Sequence, residues 1–138
     1  MEFFNKGTKL YAKGKLEEAI KCFNEAINNN PTHAEAYHSK GKAFKDLGKK
    51  QEAIECFEKV ISLKPNHVEA HTRKGVALQE MGKNTEAIEC YNKAINLDPN
   101  YVWARNTKGY ALHCMGKNEE AVECYNKAID LDLNYALA

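Results

Sequence analysis

Four cysteines, Cys22, Cys56, Cys90 and Cys124, follow one another at intervals of 34 residues, and a fifth, Cys114, stands outside their column. Thiols could form disulfides, bind metal or act as nucleophiles. The even spacing argues against the first two. A disulfide needs Cα atoms within roughly 7 Å, and residues on the second helices of neighbouring repeats, a repeat apart, are too distant. Zinc favours clustered pairs such as CxxC, which are absent. The column reads as small, buried apolar residues in a reducing compartment, with Cys114 partly exposed.

His67 and His71 are four apart, which puts both imidazoles on one helical face. Zinc at that spacing needs further ligands, and no HExxH occurs. His71 therefore reads as a packed residue. Gly41, Gly48 and Lys49, with their copies, have a phosphate loop's residue types. However, six residues rather than four separate the glycines, and no Ser or Thr follows the lysine. Nor does the chain offer a Ser/His/Asp or Cys/His arrangement beyond the bare residue types. The expectation is a protein that is not an enzyme and needs no cofactor or metal.

With 138 residues, the chain is long enough for one ordinary domain, and 43% hydrophobic residues can supply its core. A net charge of +1 removes the simplest electrostatic case for nucleic acid or an anionic membrane as partner. No apolar run approaches the ~20 residues of a membrane span. Met1-Glu2 leads straight into repeat sequence without a basic-then-apolar leader, so a cytoplasmic location is expected.

The elements that must position these residues follow from one period. Gly7, Gly41, Gly75 and Gly109 share a column with a step of 34, as do Gly14, Gly48, Gly82 and Gly116. Further columns hold Ala19, Ala53, Ala87 and Ala121; Phe23, Phe57, Tyr91 and Tyr125; Ala26, Val60, Ala94 and Ala128; and Pro31, Pro65 and Pro99. Fixed self-similarity at this period marks a stacked-repeat architecture. Apolar and small residues recur at three- and four-residue steps over Ala34–Leu47 and about Asn84–Leu97, which is helix periodicity. Glycine in mid-helix costs about 1 kcal/mol against alanine, so the first glycine column implies a partner helix too close for a side chain. The second glycine column marks the turn between paired helices. Thr32 with Glu35, and Asn66 with Glu69, read as capping boxes, Asn84 and Asn118 as N-caps. Lys15, Lys49, Lys83 and Lys117 are poor caps. The column Lys6, Lys40, Lys74 and Lys108 reads as buried stems with ammonium groups reaching water.

The succession of small, small, aromatic, small and proline columns resembles the tetratricopeptide repeat, a helix–turn–helix unit, over essentially the whole chain. The resemblance implies an all-α fold, an α-solenoid of stacked antiparallel helix pairs coiling as a right-handed superhelix. Its units would be residues 1–33, 34–67, 68–101 and 102–135, with 136–138 starting a truncated fifth. It also implies a concave wall formed by the first helix of each pair. The candidate peptide-binding residues on that wall are Asn5, Thr8 and Tyr11; His38, Ser39, Lys42 and Lys45; Thr72, Arg73 and Gln79; and Trp103, Asn106, Thr107, Tyr110 and His113, with Phe4 and Val76 in the same rows. These positions vary from unit to unit whereas the packed columns do not.

One subclass of the family grips chaperone tails with a clamp of Lys, Asn, Asn, Lys and Arg. The matching positions here are Phe4, Thr8, Ser39, Glu69 and Arg73, of which only Arg73 fits, and a glutamate would repel a carboxylate. The asparagine ladder of certain glycosyltransferase arms would need asparagine at Asn5, Ser39, Arg73 and Thr107, and only the first qualifies. Repeat arrays need polar ends, and no closing helix of the family's usual kind is read here, so Val122, Tyr125 and Ile129 are expected to form an apolar self-association edge, giving an end-to-end homo-oligomer or domain exchange, unless the chain is a fragment of a longer protein. The expected function is a protein–protein interaction scaffold that holds an extended peptide or partner helix, without nucleic acid or membrane. The alternative is the interaction arm of a larger, glycosyltransferase-like enzyme whose catalytic part is expected outside this chain.

Overall fold

Each glycine-aromatic column pair becomes one helix–helix contact in the computed structural model, which describes residues 1–137, with side chains described through Leu133. Among the described residues there are eight helices and no strand: α1 Glu2–Ala12, α2 Leu16–Asn29, α3 Ala34–Asp46, α4 Lys50–Leu63, α5 Val68–Glu80, α6 Asn84–Leu97, α7 Val102–Cys114 and α8 Asn118–Leu137. The chain forms two units, Met1–Ala70 and His71–Ala138. In the first, α2 packs on α1 and α3, and α3 packs on α4. In the second, α7 packs on α6 and α8.

The close approach expected at the first glycine column is made by an aromatic ring. A Cβ on Gly41 would lie 2.7 Å from the Phe57 ring, and one on Gly75 would lie 2.5 Å from the Tyr91 ring. Gly7 and Gly109 meet Phe23 and Tyr125 in the same way. The glycine thus makes a slot for the ring, and Phe23, Phe57 and Tyr91 are fully buried. Burying each ring contributes roughly 1.5–3 kcal/mol. The alanine column of the second helices (Ala19, Ala53, Ala87, Ala121) lies in the same core.

Helix ends show what the lysines after the turn glycines do. Gly48 has φ +82°, its N–H donates to the Lys45 carbonyl, and the Lys49 N–H donates to the Phe44 carbonyl at 2.9 Å. This left-handed closure satisfies the orphan carbonyls of α3 through the backbone, and Lys49, the N-cap of α4, makes no side-chain capping bond. The same closure ends α1, α5 and α7.

The caps differ from expectation at four helices. The α3 cap is His33, whose Nδ1 accepts from the Ala36 N–H at 2.9 Å, rather than Thr32. His67 does the same for Ala70 at 3.0 Å, rather than Asn66. The proline turn accounts for the shift: the Thr32 amide and hydroxyl both turn back to Asn30 Oδ1. Asn84 and Asn118 are the first residues of their helices, one position past the cap.

The prolines end α2, α4 and α6 as expected. At the same column α8 has Leu133, which retains its N–H, and the helix continues unbroken to Leu137. Residues 136 and 137, where a truncated fifth unit is expected, belong to α8, and Ala138 lies outside the described residues. The five cysteines are free thiols: Cys22, Cys56 and Cys90 are buried, Cys124 is half-buried and Cys114 is exposed. No described helix is long and apolar enough to cross a membrane.

Candidate functional site

In the first unit, α1 and α3 carry the expected wall. Asn5 and Thr8 are exposed, and Tyr11, Ser39, Lys42 and Lys45 are half-buried. Much of this face is already engaged within the unit. The Thr8 hydroxyl donates to the Phe4 carbonyl at 2.9 Å, as helical threonines do. The Tyr11 hydroxyl donates to Asp46 Oδ2, and Lys42 Nζ lies 5.7 Å from the Tyr11 ring centroid. Asp46 was not among the expected wall residues. The 35-residue separation of this pair places the tyrosine and the acid on successive first helices, which only packing reveals.

His38 is corrected from a wall residue to a core residue, 4% exposed. It precedes Gly41 by three residues and so shares the helical face that meets α4. Its ring lies 5.9 Å from the Phe57 ring and 5.0 Å from the His67 ring. His38 Nε2 is 3.6 Å from Glu69 Oε2, and His67 Nε2 is 3.6 Å from Glu35 Oε1. The two imidazoles that meet are therefore His38 and His67, not the sequence pair His67 and His71. His71 is buried, as its column implies. The described residues bring together no group of three metal-ligating side chains.

Thr72 is a second correction. It is fully buried and stands three residues before Gly75, on the face that receives the Tyr91 ring. Gln79 is also engaged, with its Oε1 accepting the Tyr91 hydroxyl at 2.7 Å. Burial pushes the Tyr91 phenol well above its ordinary range, keeping it a donor.

The open part of the second unit lies on α7. Trp103, Asn106, Thr107 and Tyr110 recur at steps of three and four and share one face. The Trp103 ring is half-buried, with the Arg73 guanidinium 5.0 Å from its centroid. That distance is within cation–π range. Tyr101 flanks the same indole at 6.2 Å. Asn106 is exposed, as is Tyr110 at 54%. The Tyr110 phenol is pushed above its ordinary value, chiefly by its hydrogen bond with Cys114. Thr107 donates to the Trp103 and Ala104 carbonyls, and exposed His113 Nδ1 lies 2.9 Å from Asn118 Oδ1. Cation, indole, amide and phenol thus stand together on one accessible face, a combination suited to a chain segment carrying acceptors and a carboxylate.

On α8, Val122 and Ile129 are exposed as expected, at 54% and 55%, and Leu133 joins them at 55%. Tyr125 departs from this edge. It is half-buried because its ring closes over Gly109.

Family models match nearly the whole chain. A model described as TPR repeat matches residues 7–48 and 80–116, and models described as tetratricopeptide repeat match 34–67, 56–89 and 102–135. Among solved structures, the crystal structure of MamA is similar, with 28% identity and a TM-score of 0.94 over 99% of this chain and 80% of that one. A MamA beginning at residue 41, from Desulfovibrio magneticus RS-1, has 22% identity and a TM-score of 0.89 over 96% and 75% of the two chains. The first TPR of Spaghetti (RPAP3), bound to the HSP90 peptide SRMEEVD, has 24% identity and a TM-score of 0.80 over 83% and 90%. No curated protein sequence matches.

Proposed function

The chain belongs to the tetratricopeptide repeat family, and from that premise we propose that it is an interaction scaffold whose first-helix faces hold a protein or peptide segment, chiefly along α7. The observation that supports this most is the Arg73–Trp103 stack beside exposed Asn106 and Tyr110. The half-buried indole orders the guanidinium, so little side-chain entropy remains to be lost on binding. Asn106 offers donor and acceptor together to a peptide backbone, and protonated Tyr110 offers a donor beside an apolar ring. That the Spaghetti repeat domain is solved with a peptide bound lends the reading weight at the level of the fold.

The test is selection of peptides from a random display library on the immobilised chain, with the Arg73→Ala/Tyr110→Ala variant as counter-selector. The expected outcome is a recovered consensus whose binding the double variant weakens at least tenfold. Peptides binding both proteins equally would overturn the assignment to this face. SRMEEVD itself is expected not to bind saturably, because Glu69 occupies a position where a carboxylate clamp needs a lysine.

A further inference from the structure

The two units repeat one interface whose chemistry can be read from both of its sides. In the first unit, α3 covers α2. In the second, α7 covers α6. On the covering helices, Ala36 and Ala43, and likewise Ala104 and Ala111, are seven apart and fully buried. At 3.6 residues per turn, Ala36 lies about 140° around the helix from Gly41. Gly41 faces the helix that follows, so the alanine line faces the helix that precedes. On the covered helices the matching residues are Ile20 and Ile27 of α2, and Ile88 and Ile95 of α6. Ile20 is only 9% exposed, and Ile27, Ile88 and Ile95 are half-buried. The joint is therefore a stripe of branched apolar residues against a line of small ones.

α8 carries the same stripe. Val122 and Ile129 occupy the isoleucine columns, Leu133 extends them, and each is more than half exposed. At 3.6 residues per turn, Glu119, Glu123 and Asp130 flank one side of this stripe and Asp132 the other, and all four are exposed. α1 would be the obvious covering helix if a second copy stacked end to end, but it lacks the matching surface. Its alanine columns hold Glu2 and Lys9, both exposed. Seating them on the stripe would bury two charges or hold the helices apart.

We propose that the outer face of α8 is a docking site for a partner helix with two small residues seven apart and basic residues beside them, and that Glu2 and Lys9 prevent α1 of a second copy from taking that place. α7 has the required pattern: Ala104 and Ala111, with Arg105 and Lys108 beside them and no acid from Val102 to Lys117. A second α8 is disfavoured because it would set one acidic rim against another.

The experiment uses the full chain and a fluorescein-labelled peptide of residues 102–117 with Cys114→Ser. Saturable binding is expected, falling at least tenfold when the peptide carries Ala104→Glu and Ala111→Lys. It should fall equally when the protein carries Val122→Glu and Ile129→Glu, whose exposed sites leave the fold intact by circular dichroism. A peptide of residues 1–16 should not bind. In sedimentation velocity, Glu2→Ala/Lys9→Ala should convert the chain to concentration-dependent head-to-tail species. Equal binding by the Glu/Lys peptide, or binding unaffected by the α8 substitutions, would overturn the docking site. Head-to-tail assembly by the unaltered chain would overturn the role of α1, and a dimer abolished by the α8 substitutions would assign the face to self-association.

Discussion

α3 and α7 are copies of one helix, yet one presents a largely engaged face and the other a largely open one. On α3, His38 lies against Phe57 and His67, and Lys42 extends over Tyr11. On α7, Asn106, which shares the His38 column, is exposed, and Tyr110 projects beside the Arg73–Trp103 stack. The difference teaches that the repeat's packing columns and its wall columns answer to different constraints. Packing columns must match a neighbouring ring. Wall columns contribute to the core where their side chain fits against the paired helix, as those of His38 and Thr72 do.

The contrast extends to the cores and can be tested there. Phe57 is fully buried, whereas its column mate Tyr125 is half-buried. Phe57→Ala is expected to cost about 3–5 kcal/mol, with Tyr125→Ala costing less than half as much, by urea denaturation. Equal costs would erase the distinction between these two positions of the column.

The thiol column gives a sharper but smaller effect. Burial pushes the Cys56 thiol up from 9.0 to about 11, and burial also raises Cys124, which is half-buried. A thiol whose pKa rises on folding contributes stability that is complete below its unfolded pKa and lost as pH climbs through its folded pKa. The Cys56 contribution should therefore fade between pH 9 and about 11, a loss of order 2 kcal/mol. Denaturant midpoints across that range, compared with Cys56→Ala, would check it. An alkaline loss that the variant retains in full would assign the effect elsewhere.

The smallest effect concerns the caps. His33→Ala removes the acceptor for the Ala36 N–H and should cost about 1 kcal/mol, while Thr32→Ala should cost less, since its hydroxyl serves only the proline turn. The reverse order, read from thermal midpoints, would restore the threonine as the cap.

The sequence alone determined the eight helices, their pairing and their turns, because each depends on residues within one 34-residue period. A glycine with positive φ, a proline without an N–H and a ring sixteen residues after a small residue act locally, and repetition makes each signal legible several times over. Only the tertiary structure decided which wall residues are available. His38 and Thr72 read as surface by their place in the repeat, and became core because a ring from the paired helix lay within reach. The Tyr11–Asp46 bond and the Arg73–Trp103 stack join first helices of different repeats, where the period supplies no pattern. Side-chain reach across a helix joint depends on the packing of both helices, so chemistry shared between repeats emerges only once the chain has folded.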